Sequence, residues 1–498
     1  MPLPSPQLTI YEINTWVWLS DLSRKANTSV DLRSVPSAEW DDIAQYGFDA
    51  VWLMGVWERS PAGIAIANRD KNLMGDFLRA LPDFRLEDNV GSAYCVRSYT
   101  VDKHLGGPEG LAIARQELAK RGMRLLLDFV PNHVAPDNPW IVEHPEHFIQ
   151  LDAAHMQSEP AACARIGDKI FACGKDPYFP AWPDVVQVNA FEPGFRSAVI
   201  ELLLGVADQC DGLRCDMAML LLNNVFNQTW RERAGEMPTT EYWREVIAAV
   251  KQQHPQFLFI AEAYWDLEWE LQQQGFDFCY DKRLYDRMEH DDVEGVRLHL
   301  NADLGYQQKL VRFIENHDEP RASVAFPSAK GRAAAIAMAT IPGAKLFHEG
   351  QFEGWSVRVP VFLDRRPEEP ADAASQAFYK KLLTAINSAP FREGEWTLCN
   401  CSGWPDNASF QRLGAWAWTK GDDRTLVVVN LSDGAAQARV HLPWDELRGK
   451  TWHLVDALSD VNYDREGDEM SNDGLYVDLE PWAGQILAFH AIGKPSGD

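Results

Sequence analysis

Arg214 and Asp216 stand two residues apart in the stretch Asp211-Gly212-Leu213-Arg214-Cys215-Asp216-Met217-Ala218. Alternate side chains of a β-strand share a face, so the guanidinium and the carboxylate project from the same side. A guanidinium beside a carboxylate keeps it ionised and aims it, which suits a nucleophile. The same pair also serves as an ion pair that only fixes a strand, and the stretch by itself leaves the two readings level. Three other apolar runs end on reactive groups. One runs into Asp128-Phe129-Val130-Pro131-Asn132-His133, one ends on Glu262, and one ends on Glu315-Asn316-His317-Asp318. Crowded carboxylates repel one another, so stability alone does not gather them. Glycosidic bond cleavage does need them: one carboxylic acid protonates the leaving oxygen, and a second carboxylate attacks or stabilises an oxocarbenium-like centre. Glu262 follows the apolar run Phe257 to Ala261 with no basic residue before it, and an apolar surround raises a carboxyl pKa as a general acid requires. Asp216 beside Arg214 is the opposite case, a carboxylate kept charged.

Residues so far apart in sequence meet only on a scaffold that returns to one rim, and the chain reads as such a scaffold. Leu8 to Leu19 reads as a first strand, followed by a loop (Ser20 to Leu32) and a helix from Ser37 to Gln45. Phe48 to Met54 is an apolar run bounded by Gly47 and Gly55, the pattern of a strand buried on both faces. Further strands are expected at Arg124 to Val130, Gly212 to Asp216, Phe257 to Glu262, Phe276 to Tyr280, Leu310 to Ile314 and Ala344 to Phe347. Helices at Pro108 to Arg121, Pro193 to Gln209, Thr239 to Gln253 and Lys330 to Thr340 fall between them. Eight alternations of strand and helix predict an α/β fold, a closed (β/α)8 TIM barrel, whose catalytic residues sit at the C-terminal ends of its strands. The segment from Trp57 to Val101 reads as one elaborate loop. Residues 134–191 lack a clear period and form an inserted subdomain after strand 3. From about residue 391 to 498 short alternating runs predict a C-terminal antiparallel β-sandwich, leaving 1–390 to the barrel.

Bulk properties narrow the partners. The 498 residues carry a formal charge of −26, which disfavours nucleic acid and anionic membrane and is compatible with a neutral ligand. Nineteen Trp and thirteen Tyr offer flat faces for sugar rings as well as for core packing; Trp416, Trp418, Trp444 and Trp452 are candidates for glucan contact, with packing against the barrel as the alternative. The eight cysteines form no Cys-x-x-Cys pair, so no zinc site is expected. Cys163 and Cys173 are close enough in sequence to bond, with free thiols as the alternative. The run from Met1 to Pro6 shows no signal peptide and no apolar segment reaches membrane-spanning length, so a soluble, cytoplasmic protein is expected. Oligomeric state is not readable.

The four strand ends resemble, in order, the conserved regions of the α-amylase superfamily (glycoside hydrolase family 13). Asp128 to His133 matches its Asp-x-x-x-Asn-His region, Gly212 to Ala218 its nucleophile region, Glu262 its acid/base region and Asn316-His317-Asp318 its Asn-His-Asp region. The resemblance implies a retaining mechanism with Asp216 as nucleophile, Glu262 as acid and then base, and Asp318 binding sugar hydroxyls in the transition state. It also implies that Arg214 orients Asp216, that His133 and His317 contact the sugar, that Tyr94 stacks against it, and that Asp128 is structural, tying strand 3 to Arg214. Gln187-Val188-Asn189 loosely resembles the region closing the inserted subdomain.

Two departures shape the expected function. Many α-amylases place Lys and His three and four residues after the nucleophile, where this chain has Met219 and Leu220. That disfavours endo-action on long chains and favours a retaining α-glycosidase of short α-glucans or oligosaccharides. The alternatives are a transglycosylase or isomerase of the same superfamily (trehalose synthase-like, sucrose-acting or maltosyltransferase-like) and, from another class, a non-catalytic carbohydrate-binding scaffold. Asn132 is a candidate calcium ligand, but no matching carboxylate is evident in the inserted region, and the loop after strand 1 lacks a dense Asp/Asn series. No obligatory metal or other cofactor is expected.

Overall fold

The eight buried runs become a ring of parallel strands in the computed structural model, which describes residues 5–459 and 461–492. They are β1 (Thr9–Asn14), β2 (Ala50–Met54), β3 (Arg124–Phe129), β4 (Gly212–Cys215), β5 (Leu258–Ala261), β6 (Phe278–Tyr280), β7 (Leu310–Arg312) and β8 (Ala344–His348). The order is that of a closed barrel in which each strand neighbours the next in sequence and β8 returns to β1. With the antiparallel sheets that follow, this is a (β/α)8 TIM barrel carrying a C-terminal β-sandwich. Residues 1–4, part of the run where no signal peptide is expected, lie outside the described residues. Among the described residues no helix is long and apolar enough to cross a membrane.

Contacts divide the chain into two compact units. The first comprises Ile10–Tyr280 and Val357–Glu368; the second comprises Asp281–Ser356, the chain from Glu369 on and a short segment ending at Thr9. In the first unit β4 lies between β3 and β5, with Arg214 in register with Asp128 on one side and Ile260 on the other. Gly212 permits that close approach: a Cβ there would meet the Leu258 Cβ at 2.6 Å and the Leu258 carbonyl at 2.8 Å. The expected strand from Leu8 to Leu19 is corrected. It stops at Asn14, whose side chain accepts the Val17 N–H and caps a helix over Thr15–Ala26, so the expected loop is largely helical. The segment from Trp57 to Val101 is also more ordered than expected. Trp57–Arg59 pairs with Val96–Val101, and helices occupy Pro61–Ala67 and Lys71–Ala80. The inserted segment holds a small antiparallel sheet of His133–Val134, Trp182–Gln187, Lys169–Gly174, Gln150–Leu151 and Cys163–Ile166.

The second unit contains β7, β8, the helix Ala329–Thr340 and two antiparallel sheets. The six-stranded sheet orders Glu395–Leu398, Leu413–Lys420, Asp423–Asn430, Gly484–Ile492, Thr451–Asp456 and Asn462–Glu466; the other orders Asn400–Ser402, Ala436–His441 and Leu475–Leu479. Alternate residues of both sheets, among them Ala415, Leu426, Val428, Ala438, Val440 and Val477, share one buried core. The tryptophans considered for glucan contact are packing residues. Trp416, Trp418, Trp444 and Trp452 are all buried, and the Trp416 and Trp418 indoles donate to the Thr340 hydroxyl and carbonyl. All eight cysteines are free thiols, so Cys163 and Cys173 do not pair.

Candidate active site

Period-two geometry puts Arg214 and Asp216 on one face at the end of β4, and Arg214 Nη1 lies 2.7 Å from Asp216 Oδ1. The neighbouring strand β5 ends at Glu262, whose Oε2 lies 2.8 Å from Arg214 Nη2. One guanidinium thus spans two carboxylates, and all three side chains are buried. Its flat face sits 5.1 Å from the Tyr94 ring, 5.5 Å from Trp52 and 5.7 Å from Tyr280, within cation–π range. Burial opposes its charge, but the Glu262 and Asp216 carboxylates hold it well above the ordinary arginine pKa.

Glu262 does not have the apolar surround expected of it. Besides the Arg214 pair, Oε2 accepts the Met217 N–H at 2.5 Å, and Oε1 accepts the Tyr264 hydroxyl at 2.9 Å. Charged and neutral donors on both oxygens suit a carboxylate. The local cause lies just past Asp216. Met217 takes a left-handed conformation (φ 43°, ψ 44°), uncommon for a residue with a side chain, at the point where its N–H meets Glu262. Met219 and Leu220 follow in a 3₁₀ turn and are both buried.

The end of β3 and the residues after it form a supporting layer. Asp128 Oδ2 accepts the Gly55 N–H at 2.9 Å, and the Tyr94 hydroxyl stands 3.5 Å from Oδ1. His133 Nε2 is 3.2 Å from the Tyr94 carbonyl, and its ring meets the Trp182 ring edge-on at 5.3 Å. Burial pushes the His133 imidazole down to about 4. Asn132 pairs with Gln187 across the inserted sheet. Its amide N–H donates to Gln187 Oε1 at 3.3 Å, and its carbonyl accepts from Gln187 Nε2 at 3.0 Å, with both residues buried. Elsewhere in this unit, among the described residues, His144, Glu146 and His147 bring ligand-type atoms within 4.8 Å of one another, two of the three side chains being exposed.

His317 and Asp318 belong to the second unit, where His317 Nε2 lies 3.0 Å from Asp318 Oδ2 and the Asp318 side chain is 44% exposed. Their turn is built by Asn316, whose side-chain oxygen accepts the Asp318 and Glu319 N–H groups at 2.9 Å each. Glu315 anchors the turn from below, bound to Arg321 at 2.7 Å and to His348 at 3.1 Å. Burial opposes the Glu315 charge, but Arg321 and His348 hold its carboxyl below the usual range. The structure therefore brings Arg214, Asp216, Glu262, Tyr94, Asp128, His133 and Asn132 into one unit. Sequence reasoning passed over Tyr280, Tyr264, Trp52 and the Met217 amide. Tyr280 ends β6, so the strand-end logic that found Glu262 also points to it. Nothing in residue types announces the left-handed Met217.

No family model matches the chain. Among curated proteins it is similar to the α-amylase MalA of Haloarcula japonica, at 26% identity over 417 residues, covering 81% of this chain and 52% of that protein. It is also similar to the α-1,4-glucan:maltose-1-phosphate maltosyltransferase of Bifidobacterium longum, at 25% identity over 470 residues, 88% of this chain and 56% of that protein. The chain spans about half the length of these relatives. Its fold is like that of the maltogenic α-amylase AmyB from Thermotoga neapolitana (TM-score 0.66, 19% identity, 97% of this chain and 99% of that one). It is equally like an α-amylase from Geobacillus thermoleovorans solved with acarbose (TM-score 0.68, 18% identity, 98% and 99%).

Proposed function

The chain is related by sequence and by fold to the α-amylase superfamily, and from that premise we propose that it is a retaining α-glycosidase of short α-glucans or oligosaccharides. The observation that carries the reading is the Arg214 guanidinium ion-paired with both Asp216 and Glu262. Two carboxylates gathered on one cation suit double displacement, in which nucleophile and acid/base flank the same bond. Asp216, kept ionised by Arg214, attacks the anomeric carbon as the bond to the leaving oxygen breaks. Glu262 passes its proton to that oxygen and is left as a carboxylate. It then takes a proton from water as the water oxygen attacks the anomeric carbon and releases Asp216. Asp318 holds sugar hydroxyls, His133 and His317 contact the sugar, and Tyr94 offers its ring face.

Glu262 has to be protonated for the first step, although its contacts suit a carboxylate. Arg214 and the Met217 N–H both occupy Oε2, so the proton is carried on Oε1. No metal enters this scheme, and the Asn132–Gln187 amide pair supports a site that needs none. Eight free thiols suit a reducing, cytoplasmic compartment. The buried Met219 and Leu220 offer no polar grip on a long glucan, which favours short substrates.

A fluorinated α-glucosyl donor tests the mechanism. The expected mass spectrum shows one glycosyl adduct on the peptide carrying Asp216, absent from Asp216→Asn; an adduct elsewhere, or donor turnover without one, overturns it. A second reading, glycosyl transfer, is favoured by the maltosyltransferase relative. Products from maltose, trehalose, sucrose and maltooligosaccharides separate the two: free glucose supports hydrolysis, and disproportionation or isomers without glucose support transfer.

A further inference from the structure

We propose that Tyr264 is the positioning residue of the acid/base carboxyl, holding Glu262 Oε1 as the oxygen that delivers the proton. The proposal rests on the reading of Glu262 as acid/base. Oε2 is committed to an ion pair with Arg214 Nη2 at 2.8 Å and to the Met217 N–H at 2.5 Å, and a proton placed there would face both. Oε1 takes the Tyr264 hydroxyl at 2.9 Å. A phenol that donates into one lone pair of Oε1 leaves the proton of the carboxylic acid to point elsewhere, at the leaving oxygen. After transfer the same hydroxyl donates to the new carboxylate, so one contact serves both protonation states of the cycle.

The loop behind Tyr264 is built to fix that hydroxyl. Trp265 and Asp266, the next two residues, both adopt φ 62°, a left-handed conformation that residues with side chains seldom take. Such strain persists where the surroundings over-determine it, and it gathers at functional sites. Here the turn is closed by the Leu267 N–H on the Tyr264 carbonyl at 3.3 Å, and the Trp265 ring packs edge-on against Tyr178 at 4.8 Å. On the other side of the carboxyl the left-handed Met217 presents its amide to Oε2. A backbone amide at one turn and a hydroxyl just before another thus reach the two oxygens of one side chain.

A group that aims an acid matters in proportion to how much acid the leaving group needs. The test is Tyr264→Phe, which keeps the ring and removes the hydroxyl, assayed on maltotriose and on α-glucosyl fluoride, whose fluoride departs with little protonation. The expected result is a kcat/KM on maltotriose lowered by roughly tenfold or more, with kcat/KM on the fluoride, which reports only the formation of the glycosyl-enzyme, changed by less than about threefold and the thermal midpoint kept. Glu262→Gln should give the same pattern in stronger form. Equal losses on both substrates, or no loss on either, overturn the role of Tyr264 while leaving Glu262 as the acid. If Glu262→Gln itself shows no dependence on the leaving group, the assignment of Glu262 fails, and the role of Tyr264 fails with it.

Discussion

Arg214 decides how the other side chains behave, because it is a buried cation answered by two buried carboxylates. Removing one partner from such a cluster costs more than the cluster is worth, since the charges left behind have lost their water and gained nothing. Arg214→Met should therefore destabilise the fold by about 3–5 kcal/mol, measured by denaturant unfolding. Part of that loss should return in the triple variant with Asp216→Asn and Glu262→Gln, where no orphaned charge remains. Full stability in the single variant would mean that solvent reaches the carboxylates. His133 makes a second, separable case. Burial sets its folded pKa at about 4, below the ordinary value of 6.5. Between those values the unfolded chain binds a proton that the folded chain refuses, so stability is full above about pH 6.5 and falls as pH drops toward 4. The contribution is of order 3 kcal/mol. His133→Gln should flatten the slope of unfolding free energy in that window, and an unchanged slope would exclude His133 as its source.

At the scale of elements, the Asn132–Gln187 pair joins the end of β3 to the Trp182–Gln187 strand of the inserted sheet. Two buried amides satisfying each other need no ion between them. EDTA should accordingly leave the wild-type thermal midpoint unchanged, whereas Gln187→Ala, which leaves the Asn132 amide unpaired, should cost about 1–3 kcal/mol. A midpoint that drops in EDTA and recovers with calcium would reverse both expectations. This region also marks how far the sequence could be read. Strands buried on both faces announce themselves as apolar runs, which made the eight-strand ring legible, and the sandwich was legible from its short alternating runs. Arg214 and Asp216 share a face because a strand has period two, and that too was legible. The inserted sheet was not, because its strands run to two to six residues and its ladder shows no alternation long enough to read. The end of β1 was hidden by Asn14, a helix cap set inside an unbroken run of β-formers. The polar surround of Glu262 depends on the backbone path at Met217, which its residue type does not specify, and on Arg214 reaching across from the adjacent strand.

Charge acts on the molecule as a whole. The chain carries 73 acidic against 47 basic residues, and a net −26 works against the folded state by self-repulsion. The buried clusters around Arg214 and Glu315 are shielded from bulk ions, so salt acts on the acidic surface. There two effects compete: screening relieves the net repulsion and also weakens surface ion pairs such as Arg121 with Asp41 and Arg439 with Glu469. Exposed pairs are worth little individually, while the excess of negative charge is shared by the entire surface, so relief of repulsion wins. The thermal midpoint should rise, by about 2 °C or more, as sodium chloride goes from about 10 mM to about 150 mM, and the KM for a neutral oligosaccharide should stay constant over the same range. A midpoint that falls with salt would show that the surface pairs outweigh the repulsion. A salt-dependent KM for that neutral sugar would show that ionic strength acts on the site itself.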